Sequence, residues 1–286
     1  MEQGSGRKLK KIDGWDFYKK AWIPTCAPHE TPDTAPIFDQ KIWGEEYGSA
    51  LFARWTTDFD CGYDTGWYYI IKEAPFDIQD LEAKSRKHIR QALKKTYVKK
   101  VDPREYAEQL YAVDLAVCKT YENYKMYRTL EELQNCTDEQ IDYWAAFSAE
   151  DDRLVGFMKC RRMGAYVETL VGKYAPQDLN LRASDALHYS ILEYYLNEKG
   201  YRYVCSGSKN ISHKTNAQEY KIKSFGFRKA YCILHIHYRP GMKAVVNVLY
   251  VLRKLLGQFD NIGLIHKING VLTMEEISRK QRHTAK

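Results

Sequence analysis

Residues 201–238 read YRYVCSGSKNISHKTNAQEYKIKSFGFRKAYCILHIHY, and this stretch decides the fold. Tyr201–Cys205 is a short run of aromatic and β-branched residues, the composition of a half-buried or buried strand. It breaks into a polar loop carrying Ser206, Ser208, Asn210, Ser212 and His213. A short helix follows up to Phe225, Gly226-Phe227 stops it, and a second β-rich run continues to Tyr238. Strand, polar loop, helix, glycine stop and strand predict an α/β chain with a mixed sheet.

The elements upstream extend that pattern. Leu181–Lys199 carries Ala183, Leu187, Ile191, Tyr194 and Tyr195 at helical spacing, with Gly200 as its stop. Arg153–Met163 and Ala165–Tyr174 are two strands joined at Gly164 in a hairpin. Thr137 with Gln140 predicts a helix start that carries Ile141 and Trp144. Asp102 as cap, Pro103 at the first helical position and Glu105 completing a capping box predict another helix. Its apolar side is Tyr106, Leu110, Val113, Val117 and Tyr121. Asp80 caps a helix to about Lys95, with Ile78, Leu81, Ile89, Ala92 and Leu93 toward one face. Ser49–Trp55 and Trp67–Lys72 are β-rich, with Asp58–Thr65 as the turn between them and Pro75 closing the second. Pro24–Pro36 holds four prolines and reads as an irregular loop long enough to be functional, though nothing in its spacing selects a role for His29 or Glu30. Lys243–Leu256 predicts a last amphipathic helix, followed by a mixed tail ending RKQRHTAK.

Composition narrows the function classes. Hydrophobic residues make up 44% and aromatic ones 14% of the 286 residues, which excludes a disordered chain. The seven cysteines are scattered, odd in number and without a CxxC pair, so neither a disulfide framework nor a zinc site is expected. Cys205, beside Val204 in a strand, reads as a buried thiol and not a nucleophile. His235 and His237 alternate on one strand face with no carboxylate or cysteine at ligand spacing, so no metal site is expected there. No run of about 18 apolar residues appears, which predicts a soluble, cytoplasmic protein.

The net charge of +7 is concentrated in two places. Lys84–Lys100 holds eight Lys or Arg and no acid. Arg86, Lys87, Arg90 and Lys94, with Lys95, fall on one broad helical face, a candidate phosphate-binding stripe or else a solvated face. Arg239–Lys286 holds nine basic and three acidic residues, a composition suited to peripheral contact with an anionic membrane at its inner face.

Three stretches carry a resemblance: WYYIIKEAPFDIQDLEAKSRKHIRQALKK at 67–95, PQDLNLRASDALHYSILEYYLNEKGYRYVCSG at 176–207 and KSFGFRKAYCILHIHY at 223–238. Their order resembles the GNAT acyltransferase superfamily over roughly residues 40–240, and within it the FemAB-like branch of peptidoglycan bridge-forming transferases and their relatives in polysaccharide gene clusters. The resemblance implies a GNAT-like fold in which a loose basic N-terminus (1–12) and a short degenerate GNAT-like lobe (13–75) precede a full acyltransferase lobe (76–240) and a basic C-terminal helix and tail (241–286). It implies an acyl- or aminoacyltransferase with acyl-CoA or aminoacyl-tRNA as co-substrate and no resident cofactor firmly implied. The acceptor would be an amine or hydroxyl of a cell-envelope, lipid-linked or polysaccharide precursor.

Two departures from the superfamily matter. Arg182-Ala183-Ser184-Asp185-Ala186-Leu187 stands where GNAT enzymes hold the coenzyme A pyrophosphate on a [RQ]-x-x-G-x-[GA] turn, with the arginine but neither glycine, and Asp185 would repel phosphate. The tyrosine that protonates a leaving thiolate in many GNAT enzymes is replaced by Ile222, with Tyr220 the nearest tyrosine. Candidate catalytic residues are therefore His213 as base with Asn210 and Ser206 as donors to a carbonyl oxygen, and candidate substrate contacts are Ser208, Tyr220 and Arg182. The plainer reading of the same loop is a polar cap on the helix that follows. Two other functions fit the sequence: an acetyl-CoA-dependent N-acetyltransferase, and a catalytically inactive FemAB-like scaffold that binds RNA or phosphate.

Overall fold

The computed structural model describes residues 10–120, 129–211 and 216–284. The chain forms two compact units that interleave along the sequence: Met1–Tyr69, Ser208–Thr215 and Lys229–Lys286 make the first, Ile70–Gly207 and Asn216–Arg228 the second. The chain passes from one to the other within strands β4 (Tyr68–Glu73), β9 (Tyr203–Ser208) and β10 (Arg228–Tyr231).

The second unit is built on a mixed sheet. Strands β5 (Thr96–Val101), β6 (Ile141–Ser148), β7 (Leu154–Met163) and β8 (Tyr166–Tyr174) form an antiparallel run, and β9 joins β8 in parallel. The full order is β10-β4-β9-β8-β7-β6-β5. The helices of this unit are α1 (Ala83–Lys95), α2 (Ala107–Cys118), the short α3 (Leu130–Gln134), α4 (Ala183–Leu192) and α5 (Ala217–Phe225). Hairpin, helix α4, strand β9, helix α5 and Gly226, whose φ of +66° only a glycine adopts freely, give the GNAT-like succession expected from residues 201–238.

Several local expectations are corrected. Residues after Thr137 are a strand, β6, and not a helix. Tyr143, Ala145 and Phe147 of β6 join the core formed with Ala107, Leu110 and Val113 of α2. Trp144 takes the other face, where its Nε1 donates to Tyr195 Oη at 3.1 Å. Covered on both faces, β6 loses the in–out alternation that marks a half-exposed strand. Helix α2 starts at Ala107, because Asp102 closes a local turn instead: its Oδ1 accepts from Arg104 N at 2.9 Å, and the Arg104 guanidinium holds its pKa down to about 2. Tyr121 lies outside the described residues. Helix α1 starts at Ala83, after a separate turn capped by Asp77, and buries Ser85, Ile89 and Ala92 while Leu93 is exposed. The long helix predicted from Leu181 is a 3-10 turn to Leu181, then α4, then a π-helical turn over Glu193–Glu198.

The first unit carries a four-stranded sheet in the order β1 (Trp15–Tyr18), β2 (Ala21–Pro24), β3 (Phe52–Thr57) and β11 (Ile233–Tyr238). Three helices close it, α6 (Met242–Val251), α7 (Arg253–Gly257) and α8 (Gly263–Thr284). The predicted mixed tail is thus the 22-residue helix α8, and it is structural. Leu272, Met274 and Ile277 enter the core with Phe52, Trp67 and Leu234. Glu275, 1% exposed, accepts from Tyr238 Oη, Lys243 Nζ and Arg279 Nε at 2.6–2.9 Å. Gln281 bridges to the strand: its Oε1 accepts from Leu234 N at 2.9 Å and its Nε2 donates to Thr65 O at 2.8 Å. His235 bonds Thr57 Oγ1 and stacks on Trp55, and His237 packs between Phe38 and Trp43, so both serve packing. Replacing Gln281 with Ala leaves a buried strand N–H without its partner and is expected to cost about 1–3 kcal/mol in chemical denaturation. Lys280→Ala, on the exposed side of the same turn, is expected to change stability by less than about 0.5 kcal/mol.

Candidate active site

The parallel ladder between β8 and β9 is short. It pairs Tyr166 with Tyr203, Val167 with Val204 and Glu168 with Cys205, and there it ends, although β8 runs on to Tyr174 and β9 to Ser208. Past the last pair a side chain replaces the backbone bond: Thr169 Oγ1 donates to Cys205 O at 3.3 Å.

Helix α5 delivers Lys221 to this parting. Its Nζ donates to Thr169 Oγ1 at 3.4 Å and makes a close contact with Ser206 Oγ. Among the described residues no carboxylate is bonded to it. Burial without a compensating anion disfavours the ammonium and lowers its pKa to about 8. The thiol of Cys205 is pushed up to about 12 by burial, so Cys205 stays a thiol and is no nucleophile at neutral pH.

One residue earlier on α5, Tyr220 reaches the N-terminus of α4. Its hydroxyl donates to Asp185 Oδ1 at 2.5 Å and accepts from Ser184 Oγ at 3.1 Å. Arg182, in the left-handed region just before the helix, places Nη1 3.3 Å from Asp185 Oδ2. Burial and the Asp185 charge raise the Tyr220 phenol far above its ordinary value, so it stays protonated as a donor. A carboxylate at the positive end of a helix is favourable, and here Asp185, 5% exposed, holds that place. His188, one turn further along α4, donates from Nδ1 to Ser184 O at 2.8 Å and stacks on Phe225 at 5.0 Å. Burial, then the Lys221 charge, lowers its pKa to about 3, so the ring is neutral. Its Nε2 is buried and has no partner among the described residues.

The structure therefore brings some predicted residues together and separates others. Ser206 stands at the parting beside Lys221, and Arg182 and Tyr220 meet on the two oxygens of Asp185. Ser208 and Asn210 belong to the segment of the first unit in which Lys209 N donates to Tyr68 O. His213 lies outside the described residues. On α1, Lys87, Arg90 and Lys94 are exposed, but Arg86 spends Nη1 on Gln79 O and Leu81 O. Sequence reading missed Lys221, Thr169 and His188. One signal pointed to Lys221: it stands four residues before the buried Phe225, so the two lie on the same helix face. Among the described residues no group of three His, Cys, Asp or Glu could hold a metal ion, and no helix is long and apolar enough to cross a membrane.

No family model matches the sequence, and no curated protein matches it. Among solved structures, L-PGS from Bacillus licheniformis is similar at 14% identity and a TM-score of 0.49, over 85% of each chain. FemX is similar at 11% identity and a TM-score of 0.47, over 63% of each chain. A GNAT-family acetyltransferase from Staphylococcus aureus MU50 is similar at 19% identity and a TM-score of 0.31, over 37% of this chain and 68% of that one. Similarity at this level says nothing of the chemistry, which rests on the side chains.

Proposed function

We propose that the chain is an acyl- or aminoacyltransferase that forms an amide or ester on an amine or hydroxyl of a cell-envelope or polysaccharide precursor. The observation that carries this reading is Lys221, a partly buried cation held by two hydroxyls and, among the described residues, no carboxylate where β8 and β9 part. Such a group meets negative charge that develops on a substrate, because no carboxylate among the described residues already neutralises it. The acceptor nitrogen or oxygen attacks the acyl carbon, and the carbonyl electron pair moves onto oxygen beside the Lys221 ammonium. Collapse of that oxyanion re-forms the carbonyl and expels the thiolate or ribose oxygen of the donor. The proton of the acceptor passes to a base, for which His213, with Asn210, is a candidate on the sequence alone. The raised thiol of Cys205 supports direct attack in preference to an acyl-enzyme.

Asp185 bears on the choice of donor. A coenzyme A pyrophosphate at the α4 N-terminus would meet a buried carboxylate already bonded to Arg182 and Tyr220. This favours a donor such as aminoacyl-tRNA, whose phosphates Lys87, Arg90 and Lys94 of α1 would meet at the surface.

Lys221→Met is expected to lower single-turnover transfer from aminoacyl-tRNA to amine acceptors by about 10²–10³-fold. In the native chain transfer falls as pH rises through about 8, because the ammonium is the active form and is lost above its lowered pKa. Transfer that instead climbs through that range would make Lys221 the base, and unchanged turnover in Lys221→Met would remove it from the mechanism. Asn210→Ala and His213→Ala are expected to slow transfer, and full activity in both would remove the loop from the mechanism. Calorimetric titration with acetyl-CoA is expected to give millimolar or weaker binding. Micromolar binding would restore the acetyl-CoA reading, and tight RNA binding without any transfer would favour the inactive scaffold.

A further inference from the structure

Helix α6 is apolar on two sides. Met242, Val246, Leu249 and Tyr250 face the core of the first unit. Val245, Val248 and Val251, at steps of three residues, point away from it, and Val251 is 77% exposed. The outer stripe continues through Leu255 of α7 and Phe259 to Leu264 at the start of α8, which is 69% exposed. A helix apolar all round is normally buried, so an outer stripe of this length asks for something to cover it.

The charges beside the stripe say what. From Arg239 to Lys286 the chain has nine basic and three acidic residues, and the three acids are already engaged. Glu275 is buried under Lys243 and Arg279, Glu276 pairs with Lys280 at 2.9 Å, and Asp260 accepts from Asn269 at 2.8 Å and lies 3.0 Å from His266 Nδ1. Lys254 and Lys267 are exposed along the same segment. An apolar stripe flanked by lysines complements an anionic lipid surface, where the side chains enter the acyl boundary and the ammonium groups stay among the headgroups. A second copy of the chain would set these lysines against their own kind.

We propose that the outer face of residues 245–267 docks the protein on an anionic bilayer, lying in the plane of the interface. The docking is independent of the acyl-transfer reading and would hold if that reading failed. The full-length chain is expected to float with vesicles of phosphatidylglycerol and phosphatidylcholine in equal parts, and not with phosphatidylcholine alone. Val248→Asp combined with Leu255→Asp is expected to weaken that partition at least about tenfold with the melting temperature unchanged, since both side chains are exposed. Lys254→Gln combined with Lys267→Gln is expected to weaken it about thirtyfold, each lysine near the surface contributing about fivefold. Lack of flotation with the anionic vesicles, or undiminished binding by either double variant, would overturn the proposal. So would a dimer in light scattering that Val248→Asp with Leu255→Asp abolishes while flotation is unaffected, because the stripe would then cover a second copy.

Discussion

The early end of the parallel ladder between β8 and β9 is the constraint on which the candidate site depends. Three register pairs are made, and both strands then continue without each other. Backbone groups that lose a strand partner still require one, and here side chains supply it. Thr169 turns its hydroxyl onto Cys205 O, and that hydroxyl in turn accepts from Lys221. Polar side chains are thus fixed at the parting for structural reasons before any substrate arrives. Lys221 Nζ is held there by the hydroxyls of Thr169 and Ser206.

The rest of the second unit holds this set in place through α4. At its far end the π-helical turn carries Tyr195, whose hydroxyl donates to Asp142 Oδ2 at 2.5 Å and accepts from Trp144 Nε1. Asp142 in β6 is itself 2.9 Å from Lys100 of β5 and 3.4 Å from Arg162 of β7. One buried carboxylate therefore ties three strands to the end of the helix. At the near end another buried carboxylate, Asp185, ties α4 to Tyr220 of α5. With both ends pinned, the α5 face bearing Tyr220 and Lys221 is set against the sheet by hydrogen bonds as well as by Phe225 in the core. Fully satisfied polar networks of this kind specify geometry more sharply than apolar contact does.

How much of this the sequence showed can be argued from particular residues. The 201–238 succession and the hairpin at Gly164 were legible because period, glycine and β-branched content agreed. Strand β6 was not, because it is covered on both faces: a continuous run such as Tyr143-Trp144-Ala145-Ala146-Phe147 has no alternation to read, and Ile141 with Trp144 mimics helical spacing. Helix α8 failed for the opposite reason. Its buried stripe mixes Leu272 and Ile277 with Glu275, Ser278 and Gln281, all below 9% exposed, so hydropathy has no period there. Charge alone singled out the α1 lysines and arginines, yet it could not show that Arg86 is consumed by two carbonyls of its own chain. Lys221 was hidden beside Lys223 in KIKSF, since a lysine on a short helix ordinarily faces water.

That concealment bears on why the lysine is there. A cation whose ammonium is partly taken out of water loses hydration that two hydroxyls only partly replace, and its pKa is lowered accordingly. Thr169 and Ser206 could bond one another or water if an apolar side chain stood at 221, so the fold does not need the charge. The network at Asp185 differs: there cation, phenol and carboxylate satisfy one another, and the arrangement explains itself structurally. Lys221 is the member of the site that structure alone leaves unexplained. A group kept at a cost to stability, without a carboxylate among the described residues and placed where a sheet opens, is the observation on which the proposed transfer chemistry rests.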